Sequence, residues 1–358
     1  LGSAADKFSL EASQIGLLGS ALLGGWFVSS VLYFLANRKI GPNTATLVGI
    51  VMTAVGYFLS QYAPGYSLLS ACWFLAGFGA ALPFCVAIQM LSMQGDQERN
   101  MGAKLATEVY LGAALLYLFP VLLISRWQYA GASFGMAAFV LLALIVLRYV
   151  PRQPQVHVEE PSAEEASNNG SNAAAWIALI GFMVFFGAQT GTWAFLERIG
   201  SSINLSAQEL GISFAVLKLL GGAGGVTAAI VGSRLGLRWP HIAGLIGIGG
   251  GLFILSGATG FLGYALGSWL WEFGFALVQC YQMAAIPRLD KSKRLIALVP
   301  AAAGLGAVLG PGVAGFLKTG DSYAPILIFT FACTVVTTAL YLMLLNKKRQ
   351  TTLLAEEG

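Results

Sequence analysis

The chain has 358 residues, of which 57% are hydrophobic and only 10% charged, with 45 glycines and a formal net charge of +4. A soluble domain carries roughly a quarter charged residues, so this composition excludes a water-facing globule, and so small a positive charge calls for no nucleic-acid partner. The four cysteines (Cys72, Cys85, Cys280 and Cys333) lie in apolar runs without metal-ligand spacing or a disulfide framework. They read as small hydrophobes in helix cores.

A helix needs about 20 apolar residues to cross the hydrocarbon core. Eleven such runs follow one another, at 13–36, 44–62, 67–92, 102–125, 130–148, 174–196, 207–232, 240–257, 261–284, 295–317 and 324–345. Short turns such as Ala63-Pro64-Gly65 and Leu237-Arg238-Trp239-Pro240 separate them. None shows the alternation of a membrane β-strand. The one long interruption, 151–173, is rich in Pro, Ser and Asn and carries Glu159, Glu160, Glu164 and Glu165. It reads as a solvated cytoplasmic linker, with His157 a loop residue, between an N-terminal bundle (1–150) and a C-terminal bundle with a cytoplasmic tail (174–358).

Alternating the runs across a bilayer sorts the 20 Lys and Arg. Lys7, Arg126, Arg198 and Lys318 fall on one side, Lys218 lies within a span, and the remaining fifteen share the opposite side. The positive-inside rule makes that opposite side, and with it the C-terminus, cytoplasmic. Short loops suit a bacterial inner membrane.

The two halves repeat one another. Leu10-Glu11-Ala12-Ser13-Gln14-Ile15-Gly16 matches Leu205-Ser206-Ala207-Gln208-Glu209-Leu210-Gly211, and Lys39-Ile40-Gly41 matches Arg234-Leu235-Gly236, both 195 positions apart. Near the same register Asp96 meets Asp290, each followed by basic residues. The first run therefore pairs with 207–232, and 174–196 has no partner. The expectation is an all-α membrane protein of two parallel-repeat six-helix bundles, with eleven of twelve transmembrane helices present and the first one preceding residue 1.

Four segments carry a resemblance to the major facilitator superfamily. Asn37-Arg38-Lys39-Ile40-Gly41 is similar to a degenerate form of the family's basic, Gly-containing loop motif, and Gly232-Ser233-Arg234-Leu235-Gly236 stands in the equivalent turn of the second half. Trp73-Phe74-Leu75-Ala76-Gly77-Phe78-Gly79-Ala80-Ala81 resembles the pattern on the fourth helix, and Gly306-Ala307-Val308-Leu309-Gly310-Pro311-Gly312 that on the eleventh. Three departures stand out. The acid usual in the first loop motif is absent, Trp73 occupies the place of the fourth-helix Arg, and the fifth helix (Gly102 to Ile124) lacks the Gly-Pro motif typical of drug/proton antiporters.

No ATP motif is present. Gly221-Gly222-Ala223-Gly224-Gly225 lacks the following Lys-Ser/Thr and reads as tight helix packing. The two histidines build no metal or histidine-based membrane enzyme, so neither an enzyme nor a cofactor is expected. Ionisable groups inside spans are costly and usually face a cavity or a partner. Lys218 and Glu272 each lie about eleven residues, ~16 Å, into their spans, and Glu108 about six residues, ~9 Å, into its own. The resemblance implies that the eighth and tenth helices line the C-terminal side of a central cavity, with the fifth facing the eighth. Lys218 and Glu272 are thus expected to pair near the membrane middle. Burial favours the neutral acid and the lysine favours the carboxylate, so Glu272 is a candidate proton carrier. Gln189, Thr190, Trp193, Trp269, Gln279 and Gln282 are candidates to shape a substrate site, whereas Glu197-Arg198 reads as an outer-surface pair or gate. Gly304, Gly306, Gly310, Gly312 and Gly315 around Pro311 suggest a gating helix.

The favoured function is secondary transport of a small organic solute by alternating access, by a monomer in the lipid bilayer, with a proton as the candidate coupling ion. Lys218 favours a solute with a negative group. Multidrug or metabolite efflux, and a non-transporting transporter-like receptor, are the competing readings.

Overall fold

The computed structural model describes residues 2–37, 39–152, 170–290, 294–318 and 322–356. Arg38, most of the linker with His157 and its acids, and Lys291 and Lys293 lie outside the described residues. The helices are α1 (Gly2–Phe8), α2 (Ala12–Ala36), α3 (Pro42–Ser60), α4 (Tyr66–Ser92), α5 (Gln97–Phe119), α6 (Ser125–Leu142), α7 (Gly170–Ser202), α8 (Ala207–Val231), α9 (Arg238–Ser256), α10 (Phe261–Leu289), α11 (Val299–Leu317) and α12 (Ala324–Glu356). Short 3-10 segments, Ala143–Tyr149 and Leu295–Leu298, follow α6 and precede α11.

Ten helical runs among the described residues are long and apolar enough to cross a membrane. One of them, Gln97–Tyr149, is 53 residues long and holds two of the eleven runs read from the sequence. It is not one straight rod. Pro120–Ile124 is π-helical, and Gln128 adopts φ 49°, ψ −132°. Beyond it the chain doubles back: the Phe119 and Phe139 rings lie 6.5 Å apart, and a Cβ on Gly131 would come within 2.3 Å of the Leu123 carbonyl oxygen. The 53 residues thus form a hairpin of two spans. Large apolar side chains point outward, Phe253 at 80% and Phe316 at 93% exposure, as a lipid-facing surface requires.

The repeat is visible in local geometry. α2 and α8 are both 25 residues long and start 195 positions apart. Glu11, the N-cap of α2, has φ −68°, ψ 158°, and Ser206, the N-cap of α8, has φ −68°, ψ 157°. Each N-cap amide donates to the side chain three residues on, Glu11 to Gln14 (3.1 Å) and Ser206 to Glu209 (2.8 Å). That is a capping box in both halves. Two residues before each cap the chain takes a positive φ, 49° at Ser9 and 59° at Asn204.

The chain divides into two compact units, one of Leu1–Met90 with Gly112–Pro161, the other of Leu91–Leu111 with Ser162–Gly358. In the first, Trp73 of α4 is buried and hydrogen-bonded. Its Nε1 donates to the Tyr129 hydroxyl (3.2 Å), which donates to Ser60 Oγ (2.8 Å). The network is neutral and buried. The α2–α3 turn holds the end of the 3-10 segment: Asn43 Nδ2 donates to the carbonyls of Leu147 (2.8 Å) and Val150 (3.2 Å). A Cβ on Gly41 would lie 2.2 Å from the Arg152 carbonyl oxygen, so only glycine admits that approach.

Candidate functional site

The site lies within the second unit, on α7, α8 and α10. Lys218 Nζ on α8 stands 3.3 Å from Glu272 Oε1 on α10. The pair is asymmetric: the lysine side chain is 45% exposed, the glutamate only 8%. The glycine run of α8 makes this possible. A Cβ on Gly221 would sit 2.9 Å from Glu272 Oε1, so the carboxylate fills the notch that this glycine leaves. Gly224 likewise admits α10, while Gly222 and Gly225 admit Tyr110 and Ala106 of α5. The run is packing material, two faces for two neighbouring helices.

Lys218 Nζ also lies 4.0 Å from the centre of the Trp193 ring of α7. A cation over an indole face is attracted by the ring quadrupole. Trp193 meets Phe214 of α8 edge-on at 5.7 Å. One ammonium thus touches a buried carboxylate on one side and an accessible aromatic wall on the other. Trp269 fixes α10 against α8 by donating from Nε1 to the Ser213 carbonyl (3.0 Å).

The remaining sequence candidates occupy different places. Gln189 is fully buried. Its Oε1 accepts from Trp271 Nε1 (2.7 Å) and its Nε2 donates to Thr334 Oγ1 (2.9 Å), so it ties α7 to α10 and α12. Thr190 donates to the Gly187 carbonyl of its own helix. Gln279 is half-buried, whereas Gln282 is buried with neither amide atom hydrogen-bonded. Glu108 pairs with Lys104 one turn earlier (2.6 Å) and is half exposed. On α11, Gly306 and Gly310 face Gly187 of α7. A Cβ on Gly310 would come within 2.0 Å of the Gly187 carbonyl oxygen and one on Gly306 within 2.7 Å of that of Met183. Gly304 and Gly312 have open space beside them, Gly315 only a distant Phe195, and the helix runs on through Pro311.

Sequence reasoning missed a second polar cluster where α5 begins. Asp96 Oδ2 accepts from the Ser233 amide (2.8 Å) and hydroxyl (2.9 Å), and Oδ1 from the Arg99 amide (3.1 Å). Partial burial pushes the Asp96 carboxyl up, but these hydrogen bonds hold it at about 2, below the ordinary 3.8. Gly232, at φ 52°, leaves the room that this carboxylate occupies. Glu98, fully buried, pairs with Arg288 at the end of α10 (2.5 Å). Asp290 accepts from the amides of Arg294 (2.7 Å) and Leu295 (2.8 Å). The loop motif of the second half therefore finds its acid in Asp96. In the first half Asn37 is buried at the end of α2, Lys39 is exposed, and Arg38 is outside the described residues. Arg234 is exposed, and Gly236 takes φ 64°.

The comparisons agree with this architecture. Over 98% of this chain and 92% of its own length, an uncharacterized MFS-type transporter, YceJ of Bacillus subtilis (strain 168), is 22% identical. Solute carrier family 2, facilitated glucose transporter member 6, of Mus musculus is 26% identical over 44% of this chain and 31% of its own. Among solved structures, the Major Facilitator Superfamily transporter FucP in the outward conformation superposes with a TM-score of 0.80 at 14% identity, covering 96% of this chain and 93% of that one. A structure of the E. coli fucose:proton symporter FucP gives 0.77 at 15%, and a bacterial homologue of the iron transporter ferroportin in the outward-facing state 0.72 at 13%, both with the same coverage. The family model of the Major Facilitator Superfamily matches residues 1–289, and the chain belongs to that superfamily of membrane transporters.

Proposed function

We propose that this protein carries a small organic solute across a bacterial plasma membrane by alternating access, with Lys218, Glu272 and Trp193 as the centre of the solute site. One observation carries the reading. An ion pair placed deep in the apolar part of the chain keeps its carboxylate buried and its ammonium accessible beside an aromatic face. Such a charge is retained in a membrane at a cost, and binding is what justifies it. Gln279 lies seven residues, about 10 Å, further along α10, and Gln282 offers unused hydrogen bonds deeper along the same helix. Gln189 positions Trp271 next to Glu272. Glu108, held by Lys104, belongs to the path of α5 rather than to the pair.

Glu272 is the group that would carry a coupling proton. The fold of a fucose:proton symporter supports coupled transport, and a glucose carrier among the relatives supports small organic cargo. The close α7–α11 contact at Gly306 and Gly310 supports α11 as the moving gate, with Gly315 and Pro311 toward its far end. The excess of Lys and Arg on one side supports a cytoplasmic C-terminus.

The test is uptake and efflux of a labelled panel of acids, sugars, amines and drugs by cells expressing the full-length protein. At least one solute is expected to move, with rate lost in Lys218→Ala and pH dependence lost in Glu272→Gln. Movement confined to drugs would favour efflux. Saturable binding without movement would make the protein a receptor and refute the reading.

A further inference from the structure

We propose that the solute is an organic monocarboxylate that takes Lys218 from Glu272, and that Glu272 takes up one proton in the same step; this rests on the transport reading above. The asymmetry of the pair gives the sign. A solute entering beside Trp193 meets an ammonium that is 45% exposed and cannot reach a carboxylate that is 8% exposed. A cationic solute would be repelled by Lys218 while walled off from its own counter-charge. A neutral polyol would find one donor and no accessible charged acceptor. A carboxylate finds a charge-assisted donor at once. Its apolar body has a surface to rest on, since Trp193 lies 4.0 Å from the same nitrogen and Phe214 stands 5.7 Å beyond.

The second half of the exchange follows from what surrounds Glu272. Among the described residues Lys218 is the charged group beside it, and the Lys104–Glu108 pair of α5 faces α10 at Cys280, eight residues along the helix. From α7 come Phe185, Phe186 and the Gln189 amide, packed on Phe275 and Trp271 of α10. From α9 come Ile248 and Gly251, and the histidine of that helix, His241, is stacked on Tyr341 instead. Arg288 lies on the same helix sixteen residues away, about 24 Å along it, and is paired with Glu98. Deprived of Lys218, an ionised Glu272 would be an unpaired buried charge, which apolar surroundings strongly disfavour. It is relieved by a proton from hydronium: the carboxylate becomes a carboxylic acid, hydronium becomes water, and the Lys218 ammonium keeps its three protons. The empty site (Lys218 plus Glu272) and the loaded site (Lys218, solute anion and neutral Glu272) then carry the same net charge of zero. The loaded protein moves one anion and one proton together, and no net charge.

The experiment uses purified full-length protein in weakly buffered detergent solution with a pH-indicator dye and calorimetry. The probes are the sodium salts of lactate, gluconate and benzoate, with lactamide, gluconamide, benzamide, glucose and tetraethylammonium beside them. At least one acid is expected to bind with about one proton taken up per protein, and its apparent Kd to fall tenfold for each unit drop in pH. Glu272→Gln should bind the same acid with no proton uptake and a flat pH profile. Lys218→Ala should lose both binding and uptake, which keeps the test decisive if Glu272→Gln fails to fold. Acid binding without proton uptake overturns the exchange. Binding of glucose, an amide or tetraethylammonium but of no acid overturns the solute class and leaves the transport reading standing. If nothing binds and the cell panel above moves nothing, both fall.

Discussion

Removing either member of the Lys218–Glu272 pair should cost unequal amounts of stability. At 3.3 Å, with an effective dielectric constant of about 20, the gross attraction is ~5 kcal/mol. Much of it is offset by the desolvation of Glu272 and by the exposure of Lys218. What survives depends on which partner is deleted. Lys218→Met strands a carboxylate that is 8% exposed, and losing one partner of a buried pair costs roughly 3–5 kcal/mol. Glu272→Gln leaves a lysine side chain that is 45% exposed, and the loss is that of one hydrogen bond, about 1 kcal/mol. The double variant should resemble Glu272→Gln, which gives a coupling of about 3–5 kcal/mol in the cycle. Reversible unfolding in mixed detergent at pH 7.5 would measure all four proteins. The Lys218→Met deficit should shrink as pH falls, because a protonated Glu272 needs no counter-ion. Equal losses for the two single variants, or a Lys218→Met deficit that grows in acid, would refute the asymmetry on which the proposed solute site rests.

Three further outcomes follow from the packing. Gly310→Ala should slow transport at least tenfold and lower thermal stability, since its Cβ would overlap the Gly187 carbonyl oxygen, whereas Gly312→Ala, with open space, should leave both near wild type in the same assay. Arg288→Ala should destabilise more than Glu98→Gln, by ~2 kcal/mol or more, because it strands a fully buried carboxylate; thermal unfolding monitored by tryptophan fluorescence checks the order. Asp96 is held at about 2, below its ordinary 3.8, so its contribution is complete above 3.8 and is lost as pH falls from there towards 2. Asp96→Asn should therefore reduce stability at neutral pH and flatten the acid branch of a stability–pH profile between those values.

The position of each span was legible in the sequence because lipid demands about 20 apolar residues and charges collect at the ends. The repeat was legible too, since a capping box depends on residues only three apart, and Glu11–Gln14 and Ser206–Glu209 keep that spacing. Depth along a helix follows from counting, so Lys218 and Glu272 could be placed at one level before any coordinates. What counting does not supply is the direction in which a side chain points. Trp193 as the face beneath Lys218, Gln189 as a fully engaged tie rather than an open amide, and the reversal at Gln128 inside an apolar stretch all depend on which helices become neighbours. Asp96 with Ser233 and Glu98 with Arg288 are separated by 137 and 190 residues, beyond any local pattern. Local chemistry and the bilayer thus determined which segments cross and where their charges sit. Only the packing of helix against helix, set by where glycines let backbones approach, decided which of those charges meet and which of them stay exposed.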